Sequence, residues 1–239
     1  MKGIILAGGA GSRLAPLTLS TNKHLLPVGK KQMIVHTIDK LVECDVTEIM
    51  IITGNEHMGD MITLLGSGHD YGCSFTFRVQ DQPDGIAGAL LLCESFAAND
   101  SILVILGDNI FEDNLKEIIE KFESRPSGSR PACLLCLKTV EDPCRFGVPE
   151  IINDSIVRII EKPKAPPSDY CVTGIYVYDS NVFDFIRTLQ KSDRGEYEIT
   201  DVNNAYVEKG LAAAHVITGW WTDAGTHPSY HLANKLVQD

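Results

Sequence analysis

Lys2-Gly-Ile-Ile-Leu-Ala7 runs directly into Gly8-Gly9-Ala10-Gly11-Ser12-Arg13-Leu14. The first six residues are an almost unbroken apolar run of strand length, the pattern of a strand covered on both faces. Glycines at 8, 9 and 11 let backbone N–H groups approach an anion closely, and Arg13 adds a forked cation. A strand that ends this way predicts an α/β sheet with its ligand at the carboxyl ends of the strands. Taken alone, the loop fits a ligand-free turn equally well, so its surroundings decide.

Working outward, Glu48–Thr53, Ser74–Val79 and Ser101–Leu106 read as further Ile- and Val-rich strands. Between them Ile34, Ile38, Leu41 and Val42 share one helical face, and later Leu115, Ile118, Ile119 and Phe122 do the same. This alternation predicts a doubly wound, mostly parallel central sheet. After the breaker stretch Arg125 to Pro131 the rhythm changes. Ala132–Lys138, Gly147–Ile152, Ile156–Glu161 and Cys171–Tyr178 are strands with few helices between them, which predicts an extended, mixed sheet in the second half. Helical patterns return at Val182–Leu189, Thr200–Glu208 and Tyr230–Leu236. With no repeat and no separating linker, the expectation is a single domain spanning residues 1–239.

The 239 residues carry 32 acidic and 21 basic side chains, a net charge of -11, which argues against a nucleic-acid or anionic-membrane partner. Any phosphate must be held locally. A chain of this length buries roughly three quarters of its unfolded surface without needing a staple. No apolar run approaches a membrane span, and the apolar start is too short for a signal peptide. The seven scattered cysteines suit reduced core positions, and a cytoplasmic location is expected.

Two phosphate-loop patterns fail. A dinucleotide fingerprint beginning at Gly9 needs glycine where Leu14 stands, and no G-K-[ST] follows a Walker pattern anywhere. Instead the loop leads to Asn22-Lys23-His24-Leu25-Leu26-Pro27-Val28. Two cations, Arg13 and Lys23, around one loop suit a departing pyrophosphate better than a hydride acceptor.

GGAGSRLAPLT followed by NKHLLPV resembles the opening signature of the sugar-1-phosphate nucleotidylyltransferases, and within that family most resembles the glucose-1-phosphate thymidylyltransferases. Gln80-x-x-Pro83-x-Gly85, Leu106-Gly107-Asp108-Asn109, Arg145-Phe146-Gly147-Val148 and Glu161-Lys162-Pro163 agree in order and spacing. So do Val172-Thr173-Gly174, Arg194-Gly195-Glu196 and Trp221-Thr222-Asp223-x-Gly225. The resemblance implies a Rossmann-like nucleotidyltransferase fold, with a nucleotide-binding half at about 1–125 and a sugar-phosphate-binding half at about 132–239.

The implied reaction joins dTTP and glucose 1-phosphate into dTDP-glucose and pyrophosphate. A phosphate monoester is largely dianionic at neutral pH, its second pKa being about 6, so no general base is needed. Catalysis rests on alignment and charge neutralisation, which explains candidates that are Arg, Lys, Asp and glycine backbone.

By resemblance Arg13 and Lys23 act on the leaving group. Leu6, Gly8, Gly9, Ala10, Gly11, Ser12, Gln80, Pro83 and Gly85 hold the nucleotide, Gln80 reading the pyrimidine edge with its amide. Asn109, Phe146, Gly147, Glu161, Lys162, Val172, Arg194 and Trp221 hold the sugar phosphate. Asp108, directly after a predicted strand, and Asp223, in a predicted turn, hold Mg2+.

Other features read as ordinary structure. Cys133 and Cys136 have metal-ligand spacing but sit in a strand pattern that points them to opposite faces. His227 and His231 lack the glutamate of a zinc-protease motif and read as surface residues. His24 and Gln32 stand where the family commonly has proline, and neither removes a charge that the reaction uses.

The chain stops at Asp239, where many family members continue into a helical extension associated with subunit contacts and feedback. A homo-oligomer is compatible with the resemblance, and an incomplete regulatory site is expected. Use of UTP or CTP is an alternative within the class. A catalytically silent, nucleotide-sugar-sensing subunit is an alternative outside it, opposed by the joint presence of Arg13, Lys23, Asp108 and Asp223.

Overall fold

A computed structural model describes residues 1–124 and 131–237, so the predicted breaker stretch lies outside the described residues except for Pro131. The described chain forms two compact units that interleave in sequence. Met1–Pro83, Leu103–Leu115 and Gly219–Asp239 make the first, and Asp84–Ile102 and Lys116–Thr218 the second.

In the first unit Lys2–Ala7 lies between Ile102–Leu106 and Glu48–Thr53, with Ser74–Val79 beyond. Lys2–Ala7 and Glu48–Thr53 run parallel in the register Ile4↔Met50, and Glu48–Thr53 and Ser74–Val79 are parallel as well. The inner strands are buried along almost their whole length, as their continuous apolar runs require. Ser74–Val79 differs: it alternates exposed and half-buried residues, because it ends the strand order and takes a partner on one side.

The helix Met33–Glu43 buries Ile34, Ile38 and Leu41 completely, each contributing about 2 kcal/mol of apolar burial. It stops at Asp45, which takes a positive φ of 59° while the N–H of Val46 returns to the carbonyl of Leu41. Two short strands absent from the sequence expectations, Asn109–Phe111 and Trp221–Asp223, pair antiparallel with Asn109 opposite Asp223. Asp223 therefore ends a strand rather than occupying the predicted turn. The helix His227–Leu236 follows, opened by a reciprocal cap between Thr226 and Ser229. Val28, Met33, Ile110, Ala224 and Ala233 form the apolar cluster that ties this ladder to the last helix.

In the second unit Cys133–Thr139 pairs antiparallel with Tyr170–Tyr178 and parallel with Ala212–Val216. Tyr170–Tyr178 also meets Gly147–Ile152, whose other neighbour is Ser155–Glu161, both antiparallel. The mixed character expected of these strands is observed. Ala212–Val216 escaped the sequence reading because alanine carries little strand preference. The described helices of this unit are Ile86–Leu91, Glu94–Ala97, Lys116–Ser124, Val182–Thr188 and Ile199–Glu208. The molecule as a whole is a mixed α/β protein with a mostly parallel central sheet. Among the described residues no helix is long and apolar enough to cross a membrane.

Candidate active site

In the first unit, Lys2–Ala7 is followed by a single 3-10 turn, Ser12–Leu14, anchored by buried Leu14. What the loop offers an anion is therefore backbone N–H groups and side-chain cations, without the dipole of a long helix. Gly11 has φ 65°, and a Cβ there would stand 2.9 Å from Thr18 and 3.0 Å from Lys23, so any other residue would be strained and would push these side chains aside. Thr18 Oγ1 also donates to the Gly11 carbonyl at 2.8 Å. A Cβ on Gly8 would meet Gln80 Oε1 at 3.0 Å, which brings the predicted base-reading amide against the loop. Gly8, Gly9, Ala10, Gln80 and Pro83 line one cavity of about 240 Å3.

The same cavity takes Gly54, Asn55, Glu56, His57 and Asp81, which the sequence reading missed. A signal existed: Glu48–Thr53 neighbours Lys2–Ala7 in parallel, so the residues after Thr53 stand beside the glycine loop at the carboxyl edge. Leu6 is buried behind the loop, and its carbonyl accepts from the Gly107 N–H at 3.0 Å. Leu6 thus places the Gly107-Asp108 corner.

Lys23 Nζ donates to Asp108 Oδ2 at 2.5 Å. Burial alone drives the Asp108 carboxyl up, but the Lys23 charge and the hydrogen bonds from Lys23 and Asn109 prevail and hold it well below the usual carboxylate range. The turn that carries Lys23 is fixed by Asn22, whose amide nitrogen donates to the Ala7 carbonyl and whose Oδ1 accepts from the His24 backbone. His24 is buried, with Nδ1 2.7 Å from Asn22 Oδ1. Burial, then the Lys23 charge, lowers its pKa to about 3, so the ring is neutral at physiological pH.

Asp108 Oδ2 and Asp223 Oδ2 lie 3.3 and 3.7 Å from the point where a Cβ on Gly225 would stand, and Arg13 Nη2 lies 3.2 Å from it. Glycine leaves that space open. Among the described residues no group of at least three His, Cys, Asp or Glu side chains is placed to hold a metal. Two carboxylates facing one gap suit Mg2+, which takes phosphate oxygens and water as its other ligands, so the residues present fit that ion. Asn109 and Trp221 are buried in the same unit, the indole Nε1 donating to Asn109 Oδ1 at 2.9 Å.

The second unit gathers the other predicted residues. Gly147 pairs with Glu161 on one neighbouring strand and with Val172 on the other. Glu161 Oε2 accepts from Thr200 Oγ1 at 2.5 Å, while its Oε1 lies 3.2 Å from Lys162 Nζ and 3.4 Å from Arg194 Nη2. Lys162 has φ 44°, and its N–H bonds the Phe146 carbonyl. Arg194 is held by Glu198 through Nη2 at 2.7 Å and Nε at 3.2 Å, and Glu198 also accepts from Ser192. The Glu198 contact, aided by the neighbouring acids, raises the guanidinium pKa further.

Glu198, Ser192 and Thr200 were not legible as site residues, since their role is to hold Arg194 and Glu161. Gly85 also lies in this unit, with φ 96°, and a Cβ there would stand 2.6 Å from the Tyr197 carbonyl. Cys133 and Cys136 are buried, His227 and His231 are exposed, and no disulfide joins any of the seven cysteines.

The sequence pattern of the Nucleotidyl transferase family matches residues 2–239. A glucose-1-phosphate thymidylyltransferase of Neisseria meningitidis is 41% identical over 100% of this chain and 83% of its own. The low-salt glycan biosynthesis nucleotidyltransferase of Haloferax volcanii is 38% identical over 99% of this chain, which spans 66% of that relative's length. A crystal structure from Bacillus anthracis, assigned as a glucose-1-phosphate thymidylyltransferase and solved with sucrose, superposes with a TM-score of 0.95 at 56% identity, covering 100% of this chain and 96% of that one. The glycine loop, its cations and its carboxylates belong to a chain that matches the family from end to end: this protein is an enzyme of the Nucleotidyl transferase family.

Proposed function

We propose that the protein transfers a thymidylyl group from dTTP to glucose 1-phosphate, giving dTDP-glucose and pyrophosphate, with Mg2+ as cofactor. The observation that carries this reading is the convergence of Arg13, Lys23, Asp108 and Asp223 around the glycine loop and Gly225. The thymidylyltransferase relatives support the choice of nucleotide and sugar.

The loop amides from Gly8 to Ser12, over Leu6, receive the triphosphate, and Gln80, beside Gly8 and Pro83, meets the base. An oxygen of the sugar phosphate attacks the α-phosphorus as the bond to the β-phosphate bridging oxygen breaks, and pyrophosphate leaves with the electron pair. Arg13 and Lys23 neutralise the charge that accumulates on the leaving group. Asp108 and Asp223 would hold Mg2+, which when bound adds charge neutralisation on the phosphate oxygens. Lys162 and Arg194 take the sugar phosphate, Glu161 the sugar hydroxyls, and Phe146, Gly147 and Val172 form the floor. Gly85 serves by letting Tyr197 close on it, which shapes the segment bearing Arg194. Cysteines free of disulfides suit the cytoplasm.

Pyrophosphate release from each nucleoside triphosphate paired with each sugar 1-phosphate tests the reading. The expected result is the highest kcat/KM for dTTP with glucose 1-phosphate. A higher value with UTP or CTP replaces the nucleotide, and no release from any pair overturns the catalytic assignment.

A further inference from the structure

Asn109 and Trp221 resemble sugar-side residues in sequence, yet their polar atoms are turned toward each other and toward Asp108. The pairing of Asn109–Phe111 with Trp221–Asp223 sets Asp223 opposite Asn109 and Trp221 opposite Phe111. Trp221 and Asp223, two apart on one strand, project to the same face, and Trp221 reaches Asn109 across the diagonal. An indole N–H can donate and never accept, so the group 2.9 Å from Trp221 Nε1 must be the amide oxygen of Asn109. The amide nitrogen is thereby pointed the other way, and it donates to Asp108 Oδ1 at 3.1 Å.

With Oδ1 taken, Asp108 Oδ2 is the oxygen that faces Lys23 and the gap beside Gly225, where Asp223 Oδ2 also points. Asn109 is 2% exposed and Trp221 9%, so water competes weakly for these bonds. A flipped amide would set its oxygen against the carboxylate, and the indole forbids that flip.

We infer that Trp221 and Asn109 are positioning residues for the metal site, the indole locking the Asn109 amide so that Asp108 presents Oδ2 beside Asp223. The inference rests on the proposed two-aspartate Mg2+ site. Partners that orient a metal-binding carboxylate are worth about 10-fold or more in metal affinity.

The test is a titration with Mn2+ alone, read by the EPR signal of the free ion, on the wild type and on Trp221→Phe, Asn109→Ala, the double variant and Asp108→Asn. Trp221→Phe keeps a ring and loses the N–H. It should weaken Mn2+ binding about 10-fold. Asn109→Ala should match it, and the double variant should be no weaker than either single one, since the two act in series. In steady-state assays kcat should fall while KM for glucose 1-phosphate stays within about twofold.

Unchanged Mn2+ affinity in Trp221→Phe and Asn109→Ala, with KM for the sugar phosphate raised, makes both residues sugar contacts and overturns the relay. Additive losses overturn it as well. If Asp108→Asn binds Mn2+ as the wild type does, the metal site itself fails. If Asp108→Asn loses binding and Trp221→Phe keeps it, the relay alone fails. Circular dichroism on each variant identifies any that does not fold, and the remaining variant then decides.

Discussion

Lys23 Nζ and Asp108 Oδ2 stand 2.5 Å apart with each side chain 12% exposed, so a cation from the turn after the glycine loop neutralises a carboxylate at the end of a strand 85 residues later. Breaking such a pair from one side leaves a buried charge uncompensated, at a cost of about 3 kcal/mol. Lys23→Met should therefore lower stability by that amount at pH 7. Because the folded Asp108 pKa is depressed, the pair's contribution is present above the unfolded carboxyl pKa of about 3.9 and lost as pH falls through the lower folded value. Urea midpoints of wild type and variant should converge below about pH 4. A gap that is the same at pH 3 and pH 7 would mean that the ion pair is not its source.

His24 gives the second pH prediction. Its folded pKa of about 3 lies below the unfolded value of about 6.5, so the unfolded chain binds the extra proton between those limits. Stability should thus fall as pH drops through that window, with this ring contributing up to about 1.4 kcal/mol per pH unit. His24→Gln removes the titration. Its stability plotted against pH from 7 to 4 should be flatter than that of the wild type by one proton's slope, and parallel curves would refute the assignment.

Asp223 is half-buried at the end of its strand, and the isosteric change Asp223→Asn disturbs packing little. Turnover should fall by about a hundredfold or more while the thermal midpoint moves by a degree or two, as loss of a metal-binding charge requires. Chelator should silence the wild type equally. Full activity of either preparation in a pyrophosphate-release assay would remove the two-aspartate site.

The cations of the two units should give different kinetic signatures. Arg13→Ala should depress kcat with little change in KM, because leaving-group charge develops in the transition state. Lys162→Ala should raise KM for glucose 1-phosphate with a smaller effect on kcat, the mark of binding shared by ground and transition states. Exchange of these two signatures would reassign the phosphates.

The legible parts of the fold were those written in one stretch of sequence. Glu48–Thr53 and Ser74–Val79 have the limits that their apolar runs indicate, and Ile34, Ile38 and Leu41 are among the buried residues of their helix, with Val42 of the same predicted face half-buried. What escaped depends on partners far away in the chain. Three residues at Asn109–Phe111 show no periodicity of their own, and Trp221-Thr222-Asp223 ahead of Ala-Gly-Thr looks like a turn until its partner strand is found. The same holds for the site. Asp108 could be found from the strand before it, whereas Gly54, Glu198 and Thr200 matter only through neighbours that sequence order does not show.

The short ladder also fixes a sequence of events during synthesis. Asn109 and Trp221, joined in the finished protein, are separated by 112 residues. A nascent chain released after Thr218 would contain the glycine loop, Lys23 and Asp108, but Asn109–Phe111 would lack its partner strand and Ile110 part of its apolar cover. The closure that brings the second carboxylate to the first is a strand pairing across more than a hundred residues, and contacts of that kind form slowly. Residue 223 must therefore be made before the two aspartates can meet, and a chain that stops short of it holds one carboxylate of the proposed pair beside a complete glycine loop.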